Sequence, residues 1–276
     1  MNNDGSRTAA ATAASIAVAV LFFAAAAAVY WYFVLTAAGQ QLDASAFGAV
    51  GVLRDPLRSW AGRLRVVLLV VCGALAVALI VLALVRRRWR DSIVAVAICL
   101  ITILVSLVLK QVVLTRPALG DFGYPYNTFP SDHAAITTAS LIASYLVLPA
   151  SLRRGVAIVA LLVLGSLSGL IQVVSLAHRP SDVFAGALLA GGVAALFLRG
   201  WGGVSRAWRA AWWGLAVLAA VAAVACFIGW SDAGYAGSAR TVGTLAVLFG
   251  AAAAVAASLA VAAELRPHSA RSTEPA

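Results

Sequence analysis

Long uncharged apolar windows, separated by short arginine-bearing connections, occupy most of the chain. They fall at 11–37, 66–85, 92–109, 134–152, 155–177, 210–231 and 241–263. A helix needs about 18 to 20 such residues to cross a bilayer. A shorter window, 183–198, reaches that length if polar Ser181 and Asp182 sit at the interface. Backbone groups in lipid must be satisfied within the segment, which leaves helices as the form for runs this long. The pattern predicts an all-α, polytopic transmembrane helical bundle of about eight spans. A six-span core occupies 11–199 and two further spans lie within 200–263, between disordered polar ends at 1–10 and 264–276. The first window is too long for a signal-peptide core and no cleavage stretch follows at once, so it reads as a retained span.

Two connections are long. Residues 38–63 include GAVGVLRDPLRSWAGRLR, which fits either an interfacial helix or an ordinary loop with snorkelling arginines. Residues 110–132, KQVVLTRPALGDFGYPYNTFPSD, are rich in proline, glycine and aromatic residues, and a connection of that length between spans calls for a function. The small residues Gly186, Ala190 and Gly191 predict close helix packing.

Composition agrees with the membrane reading: 63% of residues are hydrophobic and 11% charged. The net charge of +10 would suit nucleic acid if it were clustered on one face, but it alternates between loops. Twelve of the 20 Lys and Arg residues lie in the N-terminal segment or follow the second, fourth, sixth and eighth windows; the opposite side has eight. By the positive-inside rule both termini are cytoplasmic, in a multi-pass inner-membrane protein that binds no nucleic acid. Cys72, Cys99 and Cys226 each lie inside an apolar window and behave as small apolar residues, without disulfide or metal spacing.

Against this background the polar residues converge. Lys110 and Arg116 follow the third window, Ser131, Asp132 and His133 open the fourth, His178 closes the fifth and Asp182 opens the sixth. The alternating topology puts all of them at one membrane face, where ionisable groups are functional by default. Ser131 is a good N-cap, and the helix it opens offers an anion site at its N-terminus. Pro180 breaks the fifth helix, so that Asp182 can reach back to His178, fix its tautomer and leave the other ring nitrogen as nucleophile. Lys110 and Arg116 are either snorkelling anchors or a phosphate clamp. The set describes phosphoryl transfer without a metal: no acidic cluster suited to Mg²⁺ accompanies it.

In these residues the chain resembles the type 2 phosphatidic acid phosphatases, integral-membrane lipid phosphatases with three motifs. The counterparts are KQVVLTRP (110–117), PSDH (130–133) and IQVVSLAHRPSD (171–182). The resemblance implies that His178 forms a phosphohistidine, Asp182 orients it and His133 is the general acid. It implies that Lys110, Arg116 and Ser131 bind phosphate. Three departures stand out. Only five residues separate Lys110 from Arg116 where the family has six, which swings a helical side chain to another face unless the helix breaks first. Ile171 and Gln172 replace the family's Ser-Arg, leaving Gln172 as a neutral phosphate donor and Arg179 as a candidate to restore the charge. Asp132 replaces the usual Gly, as in the bacitracin-resistance type of undecaprenyl pyrophosphate phosphatase, where it favours the helix dipole and either repels a phosphate or manages a proton.

The expectation is a membrane lipid phosphatase with an extracytoplasmic site, acting on a polyprenyl pyrophosphate or related lipid phosphate without metal or cofactor. Its partners are that substrate and membrane lipids; the residues carry no signal for an oligomeric state. The alternatives are a phosphatase for another headgroup (phosphatidate, phosphatidylglycerophosphate or a prenyl-phosphosugar) and a lipid-binding or transport homologue without catalysis.

Overall fold

The computed structural model describes residues 3–122, 126–149, 152 and 155–197, with 214, 216–222, 245–247 and 250–258. Every regular element among them is helical: α1 (Asn3–Leu35), α2 (Ala37–Ala49), α3 (Gly51–Val85), α4 (Trp89–Val108) with a π turn at Leu109–Val113, α5 (Asp132–Val147), α6 (Gly155–Val174) and α7 (Pro180–Phe197). The protein is an all-α helical bundle. Four stretches are long and apolar enough to cross a membrane: Thr12–Leu35, Trp60–Val85, Trp89–Val113 and Pro180–Phe197. Helices α1 and α3 to α7 follow the order of the first six apolar windows. The expected spans at 210–231 and 241–263 lie largely outside the described residues, and the tail at 264–276 wholly so.

Burial sorts the helices into a hub and a rim. Nearly all of α5 and α7 is buried, whereas α1, α3 and α4 turn Val20, Leu21, Val70, Val77, Val81, Leu100 and Leu104 outward. Lipid solvates such side chains as well as a protein core does, so close packing and interhelical hydrogen bonds, rather than the hydrophobic effect, hold the hub. Small residues permit that packing. A Cβ on Gly186 would stand 2.4 Å from the Ser131 carbonyl oxygen, and one on Gly191 equally close to the Phe22 ring. The expected small-residue stripe is thus where α7 meets α5 and α1. Ser258 Oγ donates to the Ala187 carbonyl at 3.1 Å, placing part of the C-terminal region against α7 as well.

The two ends of the bundle differ in chemistry. At one end Arg87, with φ of 58°, closes α3 in a Schellman motif: its N–H reaches the Leu84 carbonyl, and that of Arg88 reaches Ala83, both at 2.9 Å. Arg88 then donates to the Val147 and Leu148 carbonyls at 2.9 and 3.3 Å, a cation on the negative end of α5. The other end gathers the starts of α5 and α7, the ends of α4 and α6, and α2.

Helix α2 differs from expectation. Residues 38–63 form neither a loop nor a single surface helix; they divide into α2 and the first turns of α3. Thr36 makes the break, accepting the Gly39 N–H at 3.0 Å as N-cap. Its extended backbone re-aims the chain and folds the polar residues Gln40 and Asp43 inward, where both are buried.

Candidate active site

Lys110 sits in the π turn that ends α4. The backbone is extended by Leu114, so the helix breaks before Arg116 and the five-residue spacing imposes no helical register on it. Carbonyls freed at this end find a partner in Asn127, whose Nδ2 lies 3.2 Å from Lys110 O, 3.0 Å from Leu114 O and 3.2 Å from Phe129 O. Gln40 does the same for Val34 O and Pro117 O, at 2.7 and 2.8 Å. The long connection is therefore fastened along both sides.

Ser131 caps α5 as expected, its Oγ accepting the Ala134 N–H at 3.2 Å. The same hydroxyl donates to Gln172 Oε1 at 2.6 Å, while Gln172 Nε2 donates to the Ser168 carbonyl at 3.1 Å. These two expected phosphate ligands are bonded to each other. Buried between helices, Gln172 joins α6 to the start of α5.

The approach to His178 departs from expectation. Pro180 does not break the fifth helix; α6 ends at Val174. Leu176 takes a left-handed conformation, φ 60°, and the Leu176 and Ala177 N–H groups return to Val173 O and Gln172 O at 3.0 and 3.2 Å. This is a second Schellman motif, built without the usual glycine, and a left-handed Leu costs about 1–2 kcal/mol. Pro180 instead occupies the first position of α7, where its missing N–H is no loss. Asp182 reaches back to accept the Arg179 N–H at 2.9 Å, half of a capping box. Arginine has no acceptor for the other half. Asp43 supplies it from α2, accepting the Ser181 N–H at 3.1 Å and the Ser181 hydroxyl at 2.6 Å.

Arg116 lies between these carboxylates, its Nη2 3.7 Å from Asp43 Oδ2 and 3.5 Å from Asp182 Oδ1, with all three side chains buried. Burial, and after it the charge of Asp182, hold Asp43 above the usual carboxylate range against the pull of Ser181 and Arg116. One guanidinium therefore does not have to balance two full negative charges. Thr128 donates to Asp182 Oδ2 at 2.5 Å.

The two imidazoles meet over this base, with ring centroids 5.8 Å apart and planes inclined at 52°. His178 is buried and turns Nδ1 toward Asp182 Oδ2, at 3.9 Å; Nε2 faces outward, 3.6 Å from Asp132 Oδ1. His133 Nδ1 is 3.4 Å from that same oxygen, and Lys110 Nζ is 3.0 Å from it. The donor atoms of Asp132, His133 and His178 all lie within 4.8 Å of one another, close enough to share one divalent ion, with the Lys110 ammonium opposing a second cation there. Arg179 points elsewhere, Nη2 donating to the Phe122 carbonyl at 3.1 Å. Of the nine expected site residues, His178, His133, Asp132 and Lys110 form one cluster, and Asp182 with Arg116 lies directly beneath it. Ser131 and Gln172 brace α5, and Arg179 holds the connecting loop.

Asp43, Gln40, Thr128 and Asn127 were missed. The available signal was scarcity: the chain has only 10 acidic residues, and one follows two glutamines between apolar stretches.

Residues 110–206 match the family profile of the PAP2 superfamily, a stretch holding every site residue above except Gln40 and Asp43. The match supports the resemblance to type 2 phosphatidic acid phosphatases. No curated protein and no solved structure matches the chain.

Proposed function

We propose that the protein is a membrane lipid phosphatase that hydrolyses a polyprenyl pyrophosphate or related lipid phosphate through a phosphohistidine. The observation that carries this reading is the pair of imidazoles, 5.8 Å apart, at the helix ends of an apolar bundle, inside a stretch matching a superfamily of phosphatase-type hydrolases. His178 Nε2 attacks phosphorus; the N–P bond forms as the bond to the leaving oxygen breaks, and His133 gives that oxygen its proton. His133 then takes a proton from water, whose oxygen attacks phosphorus and frees His178 and phosphate. Asp182 supports the positive charge that His178 carries in the intermediate. Lys110 and the N-terminus of α5 stabilise the phosphoryl oxygens. None of these steps calls for a metal or cofactor. The acyl or prenyl tail stays in the bilayer while the headgroup reaches the helix ends. The arginine distribution supports a position of this face outside the cytoplasm.

A second reading, a lipid-binding or transport homologue without catalysis, is favoured by the state of the arginines. Gln172 stands where the family has Arg, Arg116 lies between two carboxylates and Arg179 bonds a loop carbonyl. One panel separates the readings: phosphate release from prenyl pyrophosphate, phosphatidate, phosphatidylglycerophosphate and prenyl-phosphosugar, by wild type and His178→Ala in detergent without added metal. Release by wild type with an acid-labile phosphoryl-enzyme, both lost in His178→Ala, is expected. Equal release by the variant would exclude the phosphohistidine, and no release by either would leave the binding homologue.

A further inference from the structure

We propose that Asp132 is an internal anion that occupies the phosphoryl position between turnovers and sets which phosphates can displace it. This rests on the phosphatase reading and adds a selectivity determinant to it. A single oxygen, Asp132 Oδ1, lies 3.0 Å from Lys110 Nζ, 3.4 Å from His133 Nδ1 and 3.6 Å from His178 Nε2. Those are the cation, the proton donor and the nucleophile that a phosphoryl group must meet. One carboxylate oxygen lies within 3.6 Å of all three.

The residue is held there by construction. Asp132 is the first residue of α5, directly after the Ser131 cap, and that cap is tied to Gln172 and, through the Ser131 N–H, to the Asp182 carbonyl at 2.9 Å. Its backbone therefore cannot retreat, and a substrate must rotate the side chain away. About a quarter of the side chain is exposed, which leaves room on the open side for that rotation.

The consequence is discrimination by presentation. A tethered carboxylate competes at an effective concentration on the order of millimolar or above, so free inorganic phosphate at ordinary concentrations is kept out. A lipid headgroup confined to the same interface is concentrated locally and is pre-oriented by its tail, and it displaces Asp132. Released phosphate, having no tail, is expelled as the carboxylate returns, which limits product inhibition.

The test uses full-length wild type, Asp132→Asn and Asp132→Gly in detergent. Thermal melts establish folding, and the near-isosteric Asn variant guards against a packing defect in the Gly variant. Inhibition constants for inorganic phosphate and orthovanadate are measured against a lipid phosphate, with calorimetric titration of orthovanadate as a readout independent of turnover. Both variants are expected to bind orthovanadate and phosphate about tenfold more tightly, with KM for the lipid falling less. Unchanged or weaker anion binding in both folded variants, with wild type active on lipid, would overturn the role of Asp132 and leave the phosphatase reading intact. A wild type that neither turns over lipid phosphates nor binds orthovanadate overturns both.

Discussion

Two carboxylates face His178 from opposite sides, and their settings could hardly differ more. Asp182, toward Nδ1, is fully buried and held by Thr128, the Arg179 N–H and Arg116. Asp132, toward Nε2, is about a quarter exposed and paired with Lys110, itself about a fifth exposed. The enclosed side is a fixed frame in which every charge has a counter-charge. The open side is a replaceable set of contacts. A buried ion in low dielectric cannot give up a partner cheaply, whereas an exposed pair is worth about 0–1 kcal/mol. His178 is therefore held rigidly from beneath, while its Nε2 faces a surface that can rearrange.

The sharpest way to break this contrast is at Asp182. Asp182→Asn should keep the shape but lose the charge that fixes the His178 tautomer, lowering kcat by roughly 10²- to 10⁴-fold with little change in KM, by analogy with the aspartate of serine-protease triads. Steady-state kinetics on the preferred lipid measures it. Asp43→Ala should be nearly as damaging through stability, by about 3–5 kcal/mol, because it strips the buried Ser181 N–H and hydroxyl of their acceptor and takes from Arg116 one of its two carboxylates. Asp43→Asn, which can still accept from Ser181, should lose less; thermal unfolding in detergent ranks the two. Gly186→Ala comes next: its Cβ would stand 2.4 Å from the Ser131 carbonyl oxygen, so α5 and α7 must separate, at about 1–3 kcal/mol. Lys110→Met on the open side should change stability least, by about 0–1 kcal/mol, while raising KM for the lipid. A large loss of stability there would remove the distinction between the two sides.

The sequence showed the helical class, the six core windows and the convergence of Lys110, His133, His178 and Asp182, because these follow from apolar run length and from position at window ends. What it could not show depends on tertiary contact. Leu176 is an unlikely left-handed residue by its side chain, so nothing local announced that α6 stops at Val174; Pro180 looked like the breaker and proved to be a helix start. Gln172 looked like a weakened phosphate ligand because its partner, Ser131, lies 41 residues away. Asp43 reaches Ser181 across 138 residues, and no periodicity within a window encodes such a pairing.

That last separation has a consequence for biogenesis. A chain threading into the bilayer from its N-terminus presents α2 long before α7 emerges, and until then Asp43 has no amide to cap. The α2 end of the bundle thus stays chemically unfinished through insertion of the helices before α7, and α7 supplies the missing amide. An early-made anchor waiting for a late-made helix ties assembly of the histidine pair's surroundings to the arrival of α7.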